Sequence, residues 1–554
     1  MVSYLLERLS SKVRGLHQAA YLLALFTLAA QLLAIVRDRI FAHTFGAGAT
    51  LDVYYAAFRV PDVMFALVAS LVSAYVLIPR IASLSKEEAQ RMLSHAASFL
   101  VLFGAGVAVV AWIAMPYILS ALFPQLAVLP EAQDFVLLSR VLLLQPILLG
   151  LSGVITSVTQ VHRRFMLFAL SPILYNVGII FGVVCLYPLF GLVGIGYGVL
   201  LGALLHVGIH VPFVKSEGLL PSPRLPSLTL LWSIMRDSLP RSLALSFGAI
   251  TTLFLTTIAA RVSEGAVSVF ALAGNIQAVP LALIGASYAT AAFPVLSHEA
   301  GNGRTEEFKT TLSTAARHII FWSSIATVFF IVFRAHVVRI LLGSGAFDWD
   351  ATRLTSALLA VLVVGLSAQG FVLLASRAFY AVGRSWVPLI IQGVGFLASI
   401  GGALFALHLV RTDPFAVLFM EDLLRVEGAL GSDVLLIALG ATVGQLVMGI
   451  AALFTLSYVA RGMVRPLIEP LFEALGAALV GGAAAYLSLS LMGNIAPLTT
   501  LLSVFAQTAV AGIVGVTVTG VVLYVLKNKE LLELLSSFKR LTAQALPPAD
   551  TASQ

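Results

Sequence analysis

Charge is what this sequence is shortest of. Only 11% of its 554 residues are Asp, Glu, Lys or Arg, where a soluble domain carries about 25%. So few charges cannot cover a water-facing surface for a chain of this length. That excludes a soluble enzyme, and equally a disordered or fibrous protein. Cysteine is nearly absent as well. The single Cys185 lies inside an apolar run, so an intramolecular disulfide and a cysteine-based metal site are both excluded. The chain has no G-x-x-x-x-G-K-[ST] and therefore no ATPase of its own. It has no H-E-x-x-H and no pair of carboxylates placed for hydrolysis on a shared face. His206 and His210 have the i, i+4 spacing of a metal pair but lack further ligands nearby, which reads as packing.

What is abundant is apolar. Sixty per cent of the residues are hydrophobic and the mean hydropathy is +1.00. The apolar runs are long, unbroken and rich in Leu, Ala, Val and Gly. A transmembrane β-barrel would instead show alternating segments of about ten residues. The expected fold class is an all-α polytopic membrane protein, because each run offers the roughly 20 residues that a hydrocarbon core demands. About fourteen spans are expected, near 18–42, 50–79, 93–118, 133–159, 166–187, 190–213, 233–260, 265–297, 311–335, 354–380, 386–409, 433–459, 470–492 and 498–526. The first run ends at Arg37-Asp38-Arg39 rather than at a small-residue cleavage site, and so reads as a retained helix.

A net charge of +7 would suggest nucleic acid in a soluble protein; here it reads as basic cytoplasmic loops and no nucleic acid partner. With the N-terminus inside, the inner segments collect Arg80, Lys86 and Arg91; Arg163 and Arg164; Lys215 and Arg224; Arg304 and Lys309; Arg461 and Arg465; and Lys527, Lys529, Lys539 and Arg540. The longest outer loop, 410–432, is acidic, with Asp413, Glu421, Asp422 and Glu427. Both termini are therefore expected in the cytoplasm. The segment Phe415–Val426 reads as an interfacial helix. Leu531, Leu532, Leu534, Leu535 and Phe538 fall on one side of a short amphipathic tail helix resting on the inner leaflet, and 543–554 reads as disordered.

The chain repeats itself weakly. Residues 73–103 resemble 288–322, each with a helix ending at a proline (Pro79, Pro294) before a polar loop. Residues 158–178 resemble 375–395 in the same way. An offset of about six spans makes the repeat parallel. That predicts two six-helix lobes, 1–213 and 214–459, around a central cleft, as in a transporter. Residues 460–526 then form two extra spans, and 527–554 a cytoplasmic tail.

Charge inside a membrane is costly and marks function by default. It clusters in the first two spans, as Arg37, Asp38, Arg39, Asp52, Arg59 and Asp62, with Pro61 interrupting. Arg140 sits near the outer end of span 4. Arg37 and Asp38 are adjacent and so point in different directions, unless they pair. Asp52 and Arg59 are two turns apart, sharing a face with about 10.5 Å of rise between them. Two arginines with interleaved carboxylates could receive an anionic headgroup, because the guanidinium fork binds phosphate oxygens bidentately. Asn275 and Gln277, just before Pro280, are expected to face the same cleft. Elsewhere the mid-spans hold only amides and imidazoles, among them Asn176, His206, Gln369, Gln392 and Gln445.

At 36–62, VRDRIFAHTFGAGATLDVYYAAFRVPD, the sequence resembles the opening of the MurJ/MviN family. The matching positions are Arg37, Asp38, Ala42, Phe45, Gly46, Ala47, Gly48, Asp52, Ala57, Phe58, Arg59 and Pro61. Fainter echoes are the Ile78-Pro79 pair and the runs 162–176, 293–297 and 377–383. The resemblance implies the fold of the multidrug/oligosaccharidyl-lipid/polysaccharide exporters. It implies a flippase carrying lipid II, the undecaprenyl-pyrophosphate-linked peptidoglycan precursor, to the outer leaflet of the bacterial cytoplasmic membrane for cell-wall synthesis. No cofactor is implied beyond coupling to the membrane potential or a monovalent ion. The implied partners are lipid II or a related lipid-linked glycan, the phospholipid bilayer and cell-wall synthesis proteins. By position, Arg37, Asp52 and Arg59 match the family's pattern. Gln31 stands where the family has an arginine, Phe65-Ala66 and Ser70-Leu71-Val72 replace its basic pair and E-G-A, and Ala273-Gly274-Asn275 replaces its A-D-R. A less cationic cavity is therefore expected. The alternatives are export of another polyprenyl-linked oligosaccharide or a small molecule, and a membrane scaffold that transports nothing.

Overall fold

The structure, a computed structural model, describes residues 16–72, 74–225, 227–412, 415–460, 462, 465–495 and 500–536. Among them there is helix and no strand. The first half runs α1 (Leu16–Phe45), α2 (Ala49–Ala57), α3 (Arg59–Val68), α4 (Ala74–Ser83), α5 (Lys86–Leu122), α6 (Ala132–Leu142), α7 (Leu144–Val161), α8 (Phe165–Phe181), α9 (Tyr187–Phe190), α10 (Leu192–Gly208) and α11 (Val211–Ser216). The second runs α12 (Leu228–Ala259), α13 (Ala266–Pro280), α14 (Ser287–Gly301), α15 (Thr305–Leu341), α16 (Trp349–Val363), α17 (Leu366–Ala381), α18 (Trp386–Thr412), α19 (Phe415–Leu424), α20 (Val434–Val459), α21 (Arg465–Ile495) and α22 (Leu501–Val525). Single π-helical turns, Gly182–Leu186 and Leu281–Ala286, follow α8 and α13.

Among the described residues, eleven helices are long and apolar enough to cross a membrane, or twelve if the bent pair α16–α17 counts as one span. The expected fourteen is not reached on that measure. The two remaining stretches, 18–42 and 50–79, are helical, the second in pieces.

Prolines explain some of the irregularity. Pro61 has no N–H to give the carbonyl of Ala57, and the helix breaks there: α2 ends at Ala57 and α3 starts after Phe58. Pro79 and Pro294, expected to end their helices, do not. α4 continues to Ser83 and α14 to Gly301, and each stops at a polar turn instead. After the first, Ser85 and Glu88 form a reciprocal capping box that starts α5.

The chain packs as two units. The first comprises Met1–Ile276, Leu341–Leu358 and Ser385–Val447. Within it α8 and α10 are in backbone contact: a β-carbon on Gly178 would collide with the backbone of Gly202, and one on Gly182 would lie 2.8 Å from the Gly198 Cα. Small residues permit this approach where lipid gives helices no hydrophobic reason to associate. A separate apolar core joins Leu71, Leu93, Val154, Val158, Val214 and Ile234.

The second unit comprises Gln277–Ile340, Leu359–Arg384 and Met448–Gln554. Here α21 and α22 form a hairpin in which Gly481 and Gly515 face one another. Phe321 of α15 packs with Ala474, Ala477 and Leu523. Residues 529–536 are helical. Leu531 packs on that same cluster, and the buried Glu530 accepts two hydrogen bonds from Arg317, at 2.6 and 2.8 Å. This part of the tail is held by protein. The rest of the expected amphipathic face, Phe538, and the stretch 543–554 lie outside the described residues.

The second sequence repeat has a local counterpart. After α7 the chain turns at Arg163 (φ 58°), and after α17 at Gly383 (φ 72°). In each turn the next N–H reaches back to close the helix, Arg164 to Thr159 and Arg384 to Phe379, both at 2.8 Å.

Candidate functional site

The polar residues of the first unit form a connected chain. Arg37 curls back along α1: its Nε and one terminal nitrogen donate to Oδ1 of Asp38, at 3.0 and 2.8 Å. Its other terminal nitrogen donates to Asn176 Oδ1 on α8, at 2.9 Å. Asp38 is buried, and its second oxygen accepts from Asn275 Nδ2 on α13, at 3.0 Å. Asn176 uses its amide nitrogen on the carbonyl of Pro172 at 3.0 Å. Adjacent backbone positions therefore did not keep Arg37 and Asp38 apart, because the arginine stem is long enough to fold back. Arg39 donates to the carbonyl of Leu341 at 3.3 Å.

Asp52 does something different. It is 1% exposed, and its carboxylate accepts the backbone N–H groups of Gly265 and Ser268, both at 2.7 Å, and the hydroxyl of Ser268. Those amides open α13, so a side chain from α2 caps a helix far along the chain. The compliment is returned: Oε1 of Glu264 accepts the N–H of Ala49, which opens α2, at 3.1 Å. Beside this pair the N–H of Ala346 donates to the carbonyl of His43 at 2.9 Å. Asp52 and Arg59 lie on either side of the break at Phe58, and each has its own partners.

Arg59 pairs with Asp62, one terminal nitrogen lying 3.5 Å from Oδ2, and its buried Nε has no hydrogen-bond partner. The Tyr55 hydroxyl is likewise buried and unpartnered. Tyr55 interacts electrostatically with Arg37, Asp38 and Arg59, as Tyr175 does with Arg37 and Asp62. The Tyr175 hydroxyl accepts from Gln145 Nε2 at 2.8 Å, leaving Gln145 Oε1 buried without a partner.

Six of the seven residues picked from the sequence thus fall in this unit, and four hydrogen-bonding links tie three of them together with Asn176. Gln31 is half-buried on α1, two turns before Asp38. Gln277 belongs to the second unit, where its Nε2 donates to the carbonyl of Leu362 at 2.7 Å. Leu362 lies at the end of α16, where the bend leaves carbonyls without helical partners. Sequence reasoning missed Asn176, Tyr55, Tyr175 and Gln145 as site residues. An amide in mid-span was a usable signal for Asn176; nothing distinguished these tyrosines from interface ones.

A family model described as lipid II flippase MurJ matches residues 41–420. The chain belongs to the MurJ family. A MurJ relative from Burkholderia cenocepacia, described as lipid II flippase MurJ, is 24% identical over 372 residues, covering 64% of this chain and 71% of the relative. A probable lipid II flippase MurJ from Thermotoga maritima is 24% identical over 365 residues, covering 65% and 72%. Among solved structures, a MurJ in an inward closed conformation superposes with a TM-score of 0.71 at 17% identity, over 92% of this chain and all of the other. A multidrug resistance MATE transporter in an inward-facing conformation gives 0.61 at 20% identity, over 79% and 99%. These likenesses establish the MurJ and MATE transporter fold and, with the apolar helices, a multi-pass membrane protein.

Proposed function

We propose that this chain moves lipid II from the inner to the outer leaflet of the bacterial cytoplasmic membrane, with both termini inside. The reading rests on membership of the MurJ family, and the observation that carries it to particular residues is the buried arginine network. Arg59 has spare donor capacity beside the free hydroxyl of Tyr55. A pyrophosphate would meet Arg59 first, since every donor nitrogen of Arg37 is already engaged. Arriving phosphate oxygens could then compete with Asp38 and Asn176 for Arg37, which converts binding energy into a change of helix contacts. The mutual capping of α2 and α13 is a natural lock for the side opposite the entrance, because it must part if those two turns separate. Headgroup passage outward through an inside-negative potential gains about 2.3 kcal/mol per charge per 100 mV. In this reading no bond is made or broken, the drive is the potential or a monovalent ion, and cell-wall synthesis proteins receive the product. The two six-helix lobes of the repeat provide the alternating access.

A second reading has its own support. Both arginines are paired with carboxylates, and Gln31 replaces a family arginine, which suits a less anionic lipid-linked glycan. Retention of lipid II on the purified protein by native mass spectrometry, with undecaprenyl phosphate and a neutral lipid as competitors, separates the two. Selective retention lost in Arg59→Ala supports lipid II. Indifference to lipid II, or retention unchanged in both Arg59→Ala and Arg37→Ala, overturns it.

A further inference from the structure

Arg140 lies outside the network just described, and its surroundings are those of a binding site. Pro116 sits inside α5 and has no N–H to give the carbonyl of Trp112, four residues back. Arg140 of α6 supplies the missing donor: its Nε reaches that carbonyl at 2.9 Å, and the guanidinium lies 4.2 Å over the Trp112 ring. This fixes the arginine while using one of its three nitrogens. Among the described residues no carboxylate pairs with it, and its two terminal nitrogens have no protein partner.

Arg140 borders a cavity of about 430 Å³ between the end of α5 and the start of α6, within the range of small-ligand sites. Pro116, Leu119, Phe135 and Val136 make its apolar wall, and Ser120 and Gln133 add polar groups to the lining. The cavity adjoins a lipid-facing stripe. Val109, Ile113 and Tyr117 repeat every fourth residue on α5 and are 57%, 61% and 77% exposed. The cavity reaches from Arg140 to Ala127 and Ala132 at the turn between α5 and α6, so it extends to the end of the two helices, where a span meets the headgroup layer.

We propose that this is a binding site for an anionic phospholipid, distinct from the cargo site. The two free guanidinium nitrogens hold the headgroup phosphate as a fork, Gln133 adds a neutral donor, and an acyl chain runs along Val109, Ile113 and Tyr117. An uncompensated arginine favours a lipid of net negative charge over a zwitterionic one, whose own cation would be placed beside it.

Native mass spectrometry of the full chain with phosphatidylglycerol, phosphatidylcholine and inorganic phosphate tests this. The expected result is retention of phosphatidylglycerol over phosphatidylcholine at one site, weakened about tenfold or more by Arg140→Gln. Ala132→Phe, which fills the cavity and leaves the Trp112 carbonyl satisfied, should give the same loss in a protein of unchanged melting temperature. It carries the test if Arg140→Gln unfolds. Equal retention of the two lipids, or phosphatidylglycerol retention untouched by Ala132→Phe, overturns the proposal. So does competition by inorganic phosphate at concentrations that match the lipid's, which would assign the arginine to a free anion.

Discussion

Asp38 holds Asn275 by one carboxylate oxygen, at 3.0 Å, and Arg37 by the other, at 2.8 Å. A residue of the first span thereby ties an arginine beside it to an amide 237 positions away. The two links are not equal in strength, since only one joins opposite charges.

Substitution should reveal that inequality. Asp38→Ala strands the Arg37 charge in a buried setting and should destabilise the protein by about 3–5 kcal/mol. Asn275→Ala leaves the ion pair intact and should cost about 1 kcal/mol. Thermal unfolding in detergent ranks the two variants. Similar losses would mean that Arg37 finds another counter-charge.

The cap that Asp52 provides can be made covalent. With Cys185→Ser as background, the pair Asp52→Cys and Ser268→Cys should cross-link under oxidation and stop transport of a lipid-linked cargo in vesicles, with activity restored by reductant. Each single cysteine should transport less well than the parent but be insensitive to redox state. Transport that continues through a formed cross-link would show that these turns never part.

The tail should contribute stability through one ion pair. Glu530→Ala leaves Arg317, with a side chain 22% exposed, without its carboxylate, and should destabilise by about 2–4 kcal/mol. A double-mutant cycle with Arg317→Ala should return a coupling of at least about 1 kcal/mol. An additive pair of losses would indicate that its other contacts, Leu531 on the apolar cluster and Asn528 on Glu473 among them, hold the tail.

The two matched turns offer a control on backbone conformation. Gly383→Ala places a β-carbon at a left-handed φ of 72° and should cost about 1 kcal/mol in a melting experiment. Arg163→Gly relieves the same strain at the other copy, offset in part by added freedom of the unfolded chain, and should change stability by less.

The class of fold was legible because the signal is long: apolar runs of twenty residues and more need no tertiary information. The family was legible from a single string between Arg37 and Pro61. The break at Phe58 was written in Pro61 but is easily read through as one span. Pro79 and Pro294 misled in the opposite sense, since helices flanked by other helices tolerate proline. The role of Asp52 could not be read at all, because the amides it accepts from lie more than two hundred residues away. Nor could the partner of Gln277 be read, since the carbonyl of Leu362 that its amide reaches is 85 residues away.

The glycines of α8 and α10 set the mechanical terms for the arginine network. With Gly178 against Gly202 and Gly182 against Gly198, the two helices leave no side-chain cushion to compress and can shift only as a single beam. Asn176 rides on that beam. A load placed on Asn176 through its 2.9 Å hydrogen bond from Arg37 is therefore carried by two helices rather than one.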